Sequence, residues 1–195
     1  MTEGIEATLP TKFGTFKIKT FESEFPGFPH LALFTNDYST ELVVDVRIHS
    51  ECMTGDVFGS TRCDCGDQLD FAMRWVQDRG GVIIYLRQEG RGIGLVNKLA
   101  AYNLQEDGLD TQDANLELGF HADERSYEVA IQILEKLGVT SIRLLTNNPE
   151  KLLAFEGSGI EVLERIPIEI APQPDNAAYL KTKKERMGHL ISNAF

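Results

Sequence analysis

The run Val82-Ile83-Ile84-Tyr85-Leu86 limits the architecture more than any other part of the chain. Five large apolar or aromatic residues between Gly80-Gly81 and Arg87 read as a strand buried on both faces. Such a strand needs cover on each side, so helices must flank its sheet. The neighbouring sequence provides them. Leu69, Ala72, Met73 and Val76 share one face of a helix over Asp67–Arg79. A helix is predicted from Leu95 to about Gln105, and another over about Ser126–Leu137. The latter turns Val129, Ala130, Ile133, Leu134 and Leu137 inward and stops at Gly138. Ile142–Leu145 and Ile160–Ile166 read as strands. Between them Asn148 caps a helix over Glu150–Glu156, with Pro149 at its first position. Residues 5–48 are β-rich: Phe13–Ile18 alternates, Leu31–Phe34 is a short apolar run, and Leu42–Ile48 favours strand around the loop cluster Pro26–Pro29. The expected fold is α/β: a mixed sheet flanked by helices in three layers, with a β-rich N-terminal part.

The chain has 195 residues, 42% hydrophobic and 25% charged, the profile of one soluble globular domain. Disordered, collagen-like and coiled-coil classes are excluded. Thirty acids against 19 basic residues give a net charge of −11. That argues against a nucleic-acid partner, whose binding rests on Lys and Arg. A phosphate-bearing ligand would need a local exception. No stretch approaches the ~20 apolar residues of a membrane span, and Met1–Glu6 has no secretory character. The expectation is a cytoplasmic protein with no membrane partner. The final segment, 181–195, holds four basic residues and one acid. It reads as a basic tail, mobile or helical at the surface, beyond a single domain of residues 1–180.

Cys52, Cys63 and Cys65 fall within fourteen residues, although unrelated structural thiols would scatter along the chain. An odd count in a reducing compartment speaks against a disulfide framework. Thiolates suit zinc, and three ligands without a fourth fit a catalytic site that leaves one position for water. Two other readings stand beside this one: three buried free thiols, or a structural site closed by His49 or another histidine. His49-Ser50-Glu51 is reminiscent of the H-x-E of zinc deaminases, but Cys63-Asp64-Cys65 lacks the proline and the two-residue spacing that those enzymes need.

The local exception in charge lies in residues 81–105, where Arg87, Arg91 and Lys98 face Glu89 alone, giving +2. Gly90, Gly92 and Gly94 alternate there between strand and helix, which allows backbone N–H groups to approach an anion. Neither a dinucleotide fingerprint nor a P-loop is present. Residues 106–125 carry seven acids and only Arg125, giving −6. A second phosphate candidate is Leu145-Thr146-Asn147-Asn148-Pro149-Glu150-Lys151, with a lysine in the first helical turn.

Four stretches together resemble GTP cyclohydrolase II: Arg47–Asp56, Arg62–Leu69, Arg87–Leu95 and Leu144–Pro149. The likeness extends through Asn115–Phe120 and Met187–Leu190. It implies one Zn2+ per chain on Cys52, Cys63 and Cys65, with Mg2+ on the substrate triphosphate. It further implies that GTP is opened at its imidazole ring, releasing formate and pyrophosphate. The product would be 2,5-diamino-6-hydroxy-4-(5-phosphoribosylamino)pyrimidine, at the first step of riboflavin biosynthesis. Arg47, Ile48, His49, Ser50, Glu51, Gln68, Glu89, Gly90, Arg91, Thr111, Thr146 and Lys151 would contact GTP, and Tyr102 would lie near the purine. The resemblance makes Asp123 a proton acceptor and Arg125 a nucleophile towards the α-phosphate. Because guanidinium stays protonated in proteins, charge stabilisation is the expected role for Arg125. The family also implies a homodimer. Some members carry a dihydroxybutanone-phosphate synthase domain in front, and a chain of this length reads as monofunctional. The alternative is a structural-zinc nucleotide-binding module without turnover.

Overall fold

The computed structural model describes residues 1–24, 27–36, 38–40 and 42–192. Pro26 of the loop cluster and the last three residues of the basic segment lie outside the described residues. The strands are β1 (Glu3–Thr11), β2 (Gly14–Phe21), β3 (His30–Phe34), β4 (Val44–Ser50), β5 (Val82–Leu86), β6 (Ser141–Leu145) and β7 (Glu161–Ile166). The helices are α1 (Met53–Asp56), α2 (Cys65–Arg79), α3 (Gly94–Glu106), α4 (Thr111–Glu117), α5 (Glu128–Lys136), α6 (Pro149–Leu153) and α7 (Ala177–Arg186). Among the described residues the strands form one sheet in the order β1-β2-β3-β5-β4-β6-β7. The first three strands are an antiparallel meander joined antiparallel to β5, whereas β5, β4, β6 and β7 run parallel. This is the mixed α/β sheet expected from the sequence.

The two-residue side-chain period of a strand divides the core into two layers. Val82, Ile84 and Leu86 pack with Ala130, Ile133 and Leu134 of α5, together with Val44, Val46 and Ile48 of β4. Ile83 points the other way, to Ala72, Met73 and Val76 of α2. Leu145 and Ile166 extend that second layer under Phe71 and Trp75. The buried strand thus receives a helix on each face.

Some boundaries differ from the sequence reading. The strand expected over Leu42–Ile48 starts at Val44 and runs on through His49 and Ser50, while Leu42 is 70% exposed. Its polar residues look inward, so hydrophobicity ends before the strand does. Helix α4 was not expected. Asp110 caps it by accepting from the backbone N–H groups of Gln112 and Asp113 at 2.8 and 3.0 Å. The sequence division at residue 180 falls inside α7, whose Lys183 is buried. No described helix is long and apolar enough to cross a membrane.

Ile133 is fully buried between α5 and the sheet. Ile133→Ala should lower unfolding free energy by about 2–5 kcal/mol. Ile5→Thr on the exposed edge strand should stay within about 0.5 kcal/mol of the parent. Urea denaturation followed by circular dichroism checks both.

Candidate active site

Strands β5, β4 and β6 are adjacent and parallel, so their C-terminal ends meet at one sheet edge. Ligand sites in such sheets lie in the crevice beyond those ends. Residues 51–56 follow β4, residues 87–93 follow β5, and residues 146–148 follow β6. They border a cleft of about 1080 Å³, open to solvent and continued by residues from α2, α3, α4 and α7.

One end of the cleft holds the cysteines. Cys52 follows β4, and Cys63 and Cys65 flank the start of α2. The three Sγ atoms lie within 4.8 Å of one another, with Cys52 and Cys63 at 3.6 Å, and none is in a disulfide. Hydrogen bonds from Cys63 and Cys65, with the Lys98 ammonium 3.2 Å away, hold the Cys52 thiol far below its ordinary range. That anion pushes Cys63 up to about 11 and Cys65 up as well. Three soft donors thus lie together beside one ammonium, an arrangement suited to a divalent cation. This donor set suits zinc with one position left for water. Among the described residues these three cysteines are the one cluster whose ligand atoms are close enough to hold a metal ion. His49, the residue that could have closed the site, is occupied elsewhere. Its Nε2 lies 3.0 and 3.1 Å from the two carboxylate oxygens of Asp56, and burial pushes its pKa down against that pull. Asp56 also accepts from the Cys52 backbone N–H at 3.0 Å and from the Tyr85 hydroxyl at 2.8 Å, which pins the cysteine loop to two central strands.

Cations line the rest. Among the described residues the cleft wall carries Arg47, Arg62, Arg91, Lys98, Arg125, Lys151 and Lys183 against Glu51 and Glu89. Arg47 is buried on β4 and donates to the Leu145 carbonyl at 3.1 Å and to Gln68 Oε1 at 2.6 Å. Burial pulls its pKa down to about 10. Lys151 turns inward from α6 and donates to the Ile48 carbonyl at 2.7 Å. Burial, then Arg47, Arg125 and Lys183, hold its pKa well below the usual lysine range. The buried Nε of Arg47 and a buried terminal nitrogen of Arg91 have no hydrogen-bond partner among the described residues. Desolvated cations at this density suit an anionic ligand.

The glycine loop has a steric origin. Gly90 and Arg91 both adopt φ +62°, and Arg91 is the only non-glycine residue with positive φ among the described residues. That geometry costs an L-residue roughly 1–2 kcal/mol and turns the chain sharply between β5 and α3. At Gly92 a Cβ would sit 2.9 Å from the Glu124 Cβ, so the following segment can pass close by. Glu89 ties the turn to the cysteine loop, accepting from Met53 N–H at 2.6 Å, Gly90 N–H at 2.7 Å and Lys98 at 2.8 Å.

The cleft brings together Arg47, His49, Ser50, Glu51, Gln68, Glu89, Gly90, Arg91, Tyr102, Thr111, Arg125, Thr146, Lys151 and the three cysteines. Tyr102 meets Thr54 Oγ1 at 3.2 Å, and burial pushes its phenol pKa up. Glu51 is paired with Arg87 at 2.5 Å, yet burial still holds its carboxyl above the ordinary range. Two expected residues stand apart. The Ile48 side chain belongs to the core, and only its carbonyl is engaged, by Lys151. Asp123 lines an adjoining cavity that shares Arg125, Asn148, Met187 and His189 with the cleft. Asp123 takes two hydrogen bonds from the Arg125 guanidinium, one of them from Nε at 2.8 Å. Burial alone would lower the Arg125 pKa and raise that of Asp123; their pairing outweighs it and keeps both ionised. A guanidinium held charged in this way has no free lone pair and is suited to negative charge on a ligand.

Sequence reasoning placed Lys98 in the positive window without giving it a contact, and it gave no site role to Arg62, Tyr179, Lys183 or His189, all in the cleft wall. Lys98 stands one helical turn before Tyr102, and that i,i+4 spacing was a usable signal. Lys183 approaches only through the path of α7 and carries no local signal, whereas His189 lies in the Met187–Leu190 stretch that shares the family likeness.

A family model described as GTP cyclohydrolase II matches residues 2–167. A protein named Riboflavin biosynthesis protein RibBA from Parabacteroides distasonis is 54% identical over 191 residues, covering 97% of this chain and 47% of its own length. Proteins of the same name from Chlorobium phaeovibrioides and Bacillus cytotoxicus are 53% and 51% identical, covering 96% and 98% of this chain and 46% and 49% of theirs. The chain thus spans about half the length of the curated relatives it matches. A solved structure of RibBX, a two-domain 3,4-dihydroxy-2-butanone 4-phosphate synthase from A. baumannii, aligns with 87% of this chain and 40% of its own at TM-score 0.46 and 20% identity. That distance supports no functional inference. By its sequence match over residues 2–167, the chain belongs to the GTP cyclohydrolase II family.

Proposed function

We propose that this chain hydrolyses GTP, opening the imidazole ring with loss of formate and pyrophosphate to leave the diaminopyrimidine ribosyl monophosphate. The observation that carries this reading is the pairing, in one cleft, of a three-thiol cluster with buried cations suited to a triphosphate. Zinc on Cys52, Cys63 and Cys65 would supply a nucleophilic water at neutral pH.

The chain's own residues do the rest in this reading. Lys98, 3.2 Å from Cys52 Sγ, balances the charge of the thiolates. Tyr102, held by Thr54 and flanked by Arg62, offers the purine a stacking edge and a hydroxyl. Gln68 presents an amide fixed from both sides by Asp64 and Arg47. Arg47, Arg91 and Lys151 take phosphate oxygens, with Thr111, Thr146 and the 47–51 and 89–91 backbone completing the contacts. Arg125 stabilises charge on the α-phosphoryl group as the bond to pyrophosphate breaks and water adds to phosphorus. Asp123 fixes the Arg125 fork, and its ionised carboxylate is the proton acceptor on that side. One water is consumed for each bond broken.

Magnesium on the triphosphate, a homodimer and a cytoplasmic setting belong to the same reading. The three unpaired thiols fit a reducing compartment. Exposed Val57, Phe58 and Val96, at 68, 75 and 81%, are in keeping with a protein partner surface. A structural-zinc module would instead use a fourth protein ligand and leave GTP untouched.

Zinc-loaded protein with magnesium should convert GTP to equimolar formate and pyrophosphate, resolved by chromatography and a formate assay; intact GTP would overturn the reading. Cys65→Ser should reduce formate release at least ~100-fold and lower bound zinc, as metal analysis would show. Arg125→Ala should slow pyrophosphate release by about 10²–10³-fold while leaving the metal content unchanged. Pyrophosphate release at the parent rate would remove Arg125 from the phosphoryl step.

A further inference from the structure

Asp64 lies between two of the metal-binding cysteines, is 4% exposed, and occupies the N-cap position of α2. A carboxylate there ordinarily accepts from the first backbone N–H groups of its helix. This one caps nothing. Its Oδ1 takes the Lys183 ammonium at 2.7 Å and its Oδ2 takes Gln68 Nε2 at 2.5 Å. Gln68 Oε1 then accepts from Arg47 at 2.6 Å, so donors and acceptors alternate along the chain and the amide has one workable orientation. Lys183 is itself 9% exposed and sits 4.4 Å from the Tyr179 ring centroid. Arg186, one turn further on, bridges Asp110 and Asp113 at the start of α4. After α7 the chain bonds along the cleft, with Leu190 N–H donating to the Asn147 carbonyl at 2.8 Å.

We propose that Lys183 is a positioning residue for the site: through Asp64 it holds the turn between Cys63 and Cys65 in ligand geometry, and through Gln68 it aims Arg47 into the cleft. This rests on the reading that the cysteine cluster holds zinc. Helix α7 lies beyond residue 167, where the family match ends, and it supplies from 119 residues away the ammonium that pairs with Asp64. The forgone cap is the physical reason to separate this pair from an ordinary structural ion pair. Asp64 spends both oxygens on side chains that lead to the metal and anion ends of the cleft.

The test is a cobalt(II) titration of the full-length, metal-free chain, followed by thiolate-to-cobalt charge-transfer and tetrahedral d–d absorption. Apo-protein melting would verify the fold of each variant. Lys183→Met should weaken cobalt binding about 10–100-fold and alter the d–d bands, as loss of a residue that orients metal ligands does. Lys183→Arg should restore most of the affinity. Asp64→Asn combined with Lys183→Met should lose no more than the worse single variant, because one interaction is removed twice. Should Lys183→Met fail to fold, the double variant, which removes both buried charges, carries the comparison with Asp64→Asn. A folded Lys183→Met chain with the parent's cobalt affinity and spectrum overturns the proposal, as do additive losses. A parent chain that binds no cobalt overturns the metal reading and this proposal with it.

Discussion

Asp45, Arg47 and His49 occupy one face of the central strand β4, each 5% exposed or less. A desolvated ion without a partner costs several kcal/mol, so this strand is tolerable only where each group is answered. Asp45 receives the Trp75 indole N–H at 2.7 Å and Arg143 Nε at 2.6 Å. Arg47 is answered by Gln68 and the Leu145 carbonyl, and His49 by Asp56. These partners come from α2, from β6 and from the cysteine loop. The same bonds therefore dock helix α2, join the parallel strands and fix the loop that begins at Cys52. The opposite face of β4 is Val44, Val46 and Ile48 against α5, which holds the strand in place while its polar face is used.

From that strand the two halves of the cleft are built as one unit. Glu89 and Lys98 link the glycine turn to the cysteine loop, while Asp64 and Gln68 link the cysteines to Arg47. Side-chain hydrogen bonds thus run without a break from the cysteine end of the cleft to its cation end. The strained Arg91 backbone is consistent with this, since an unfavourable conformation persists only where its surroundings over-determine it.

Net charge and site charge are separate quantities here. The chain carries −11, yet its cleft wall among the described residues is strongly cationic. Part of the acidic excess has an internal use: Asp110 and Asp113, in the most acidic window, meet Arg186 from the basic C-terminal segment. A segment that read as a surface tail is partly a clamp, because its charge is complementary to one that lies far away in sequence.

The sheet and the chemistry of the donors are legible in the order of the residues. The Val82–Leu86 run demanded cover on both faces, the periodicities of α2 and α5 supplied it, and the cysteine spacing announced a metal-type site. These are local signals, carried by residues close together in the chain. Which polar residues became interior was settled by long-range packing. It drew β4 past the end of its hydrophobic pattern, assigned His49 to Asp56 and away from the cysteines, set Asp123 beside Arg125, and brought Lys183 to Asp64. Lys183 reaches Asp64 from 119 residues away, and even where the partners are close in the chain, as His49 with Asp56 and Asp123 with Arg125, several polar groups lie nearby and packing selects the one that answers. That is a matter of how the strands and helices pack, and no short window of sequence contains it.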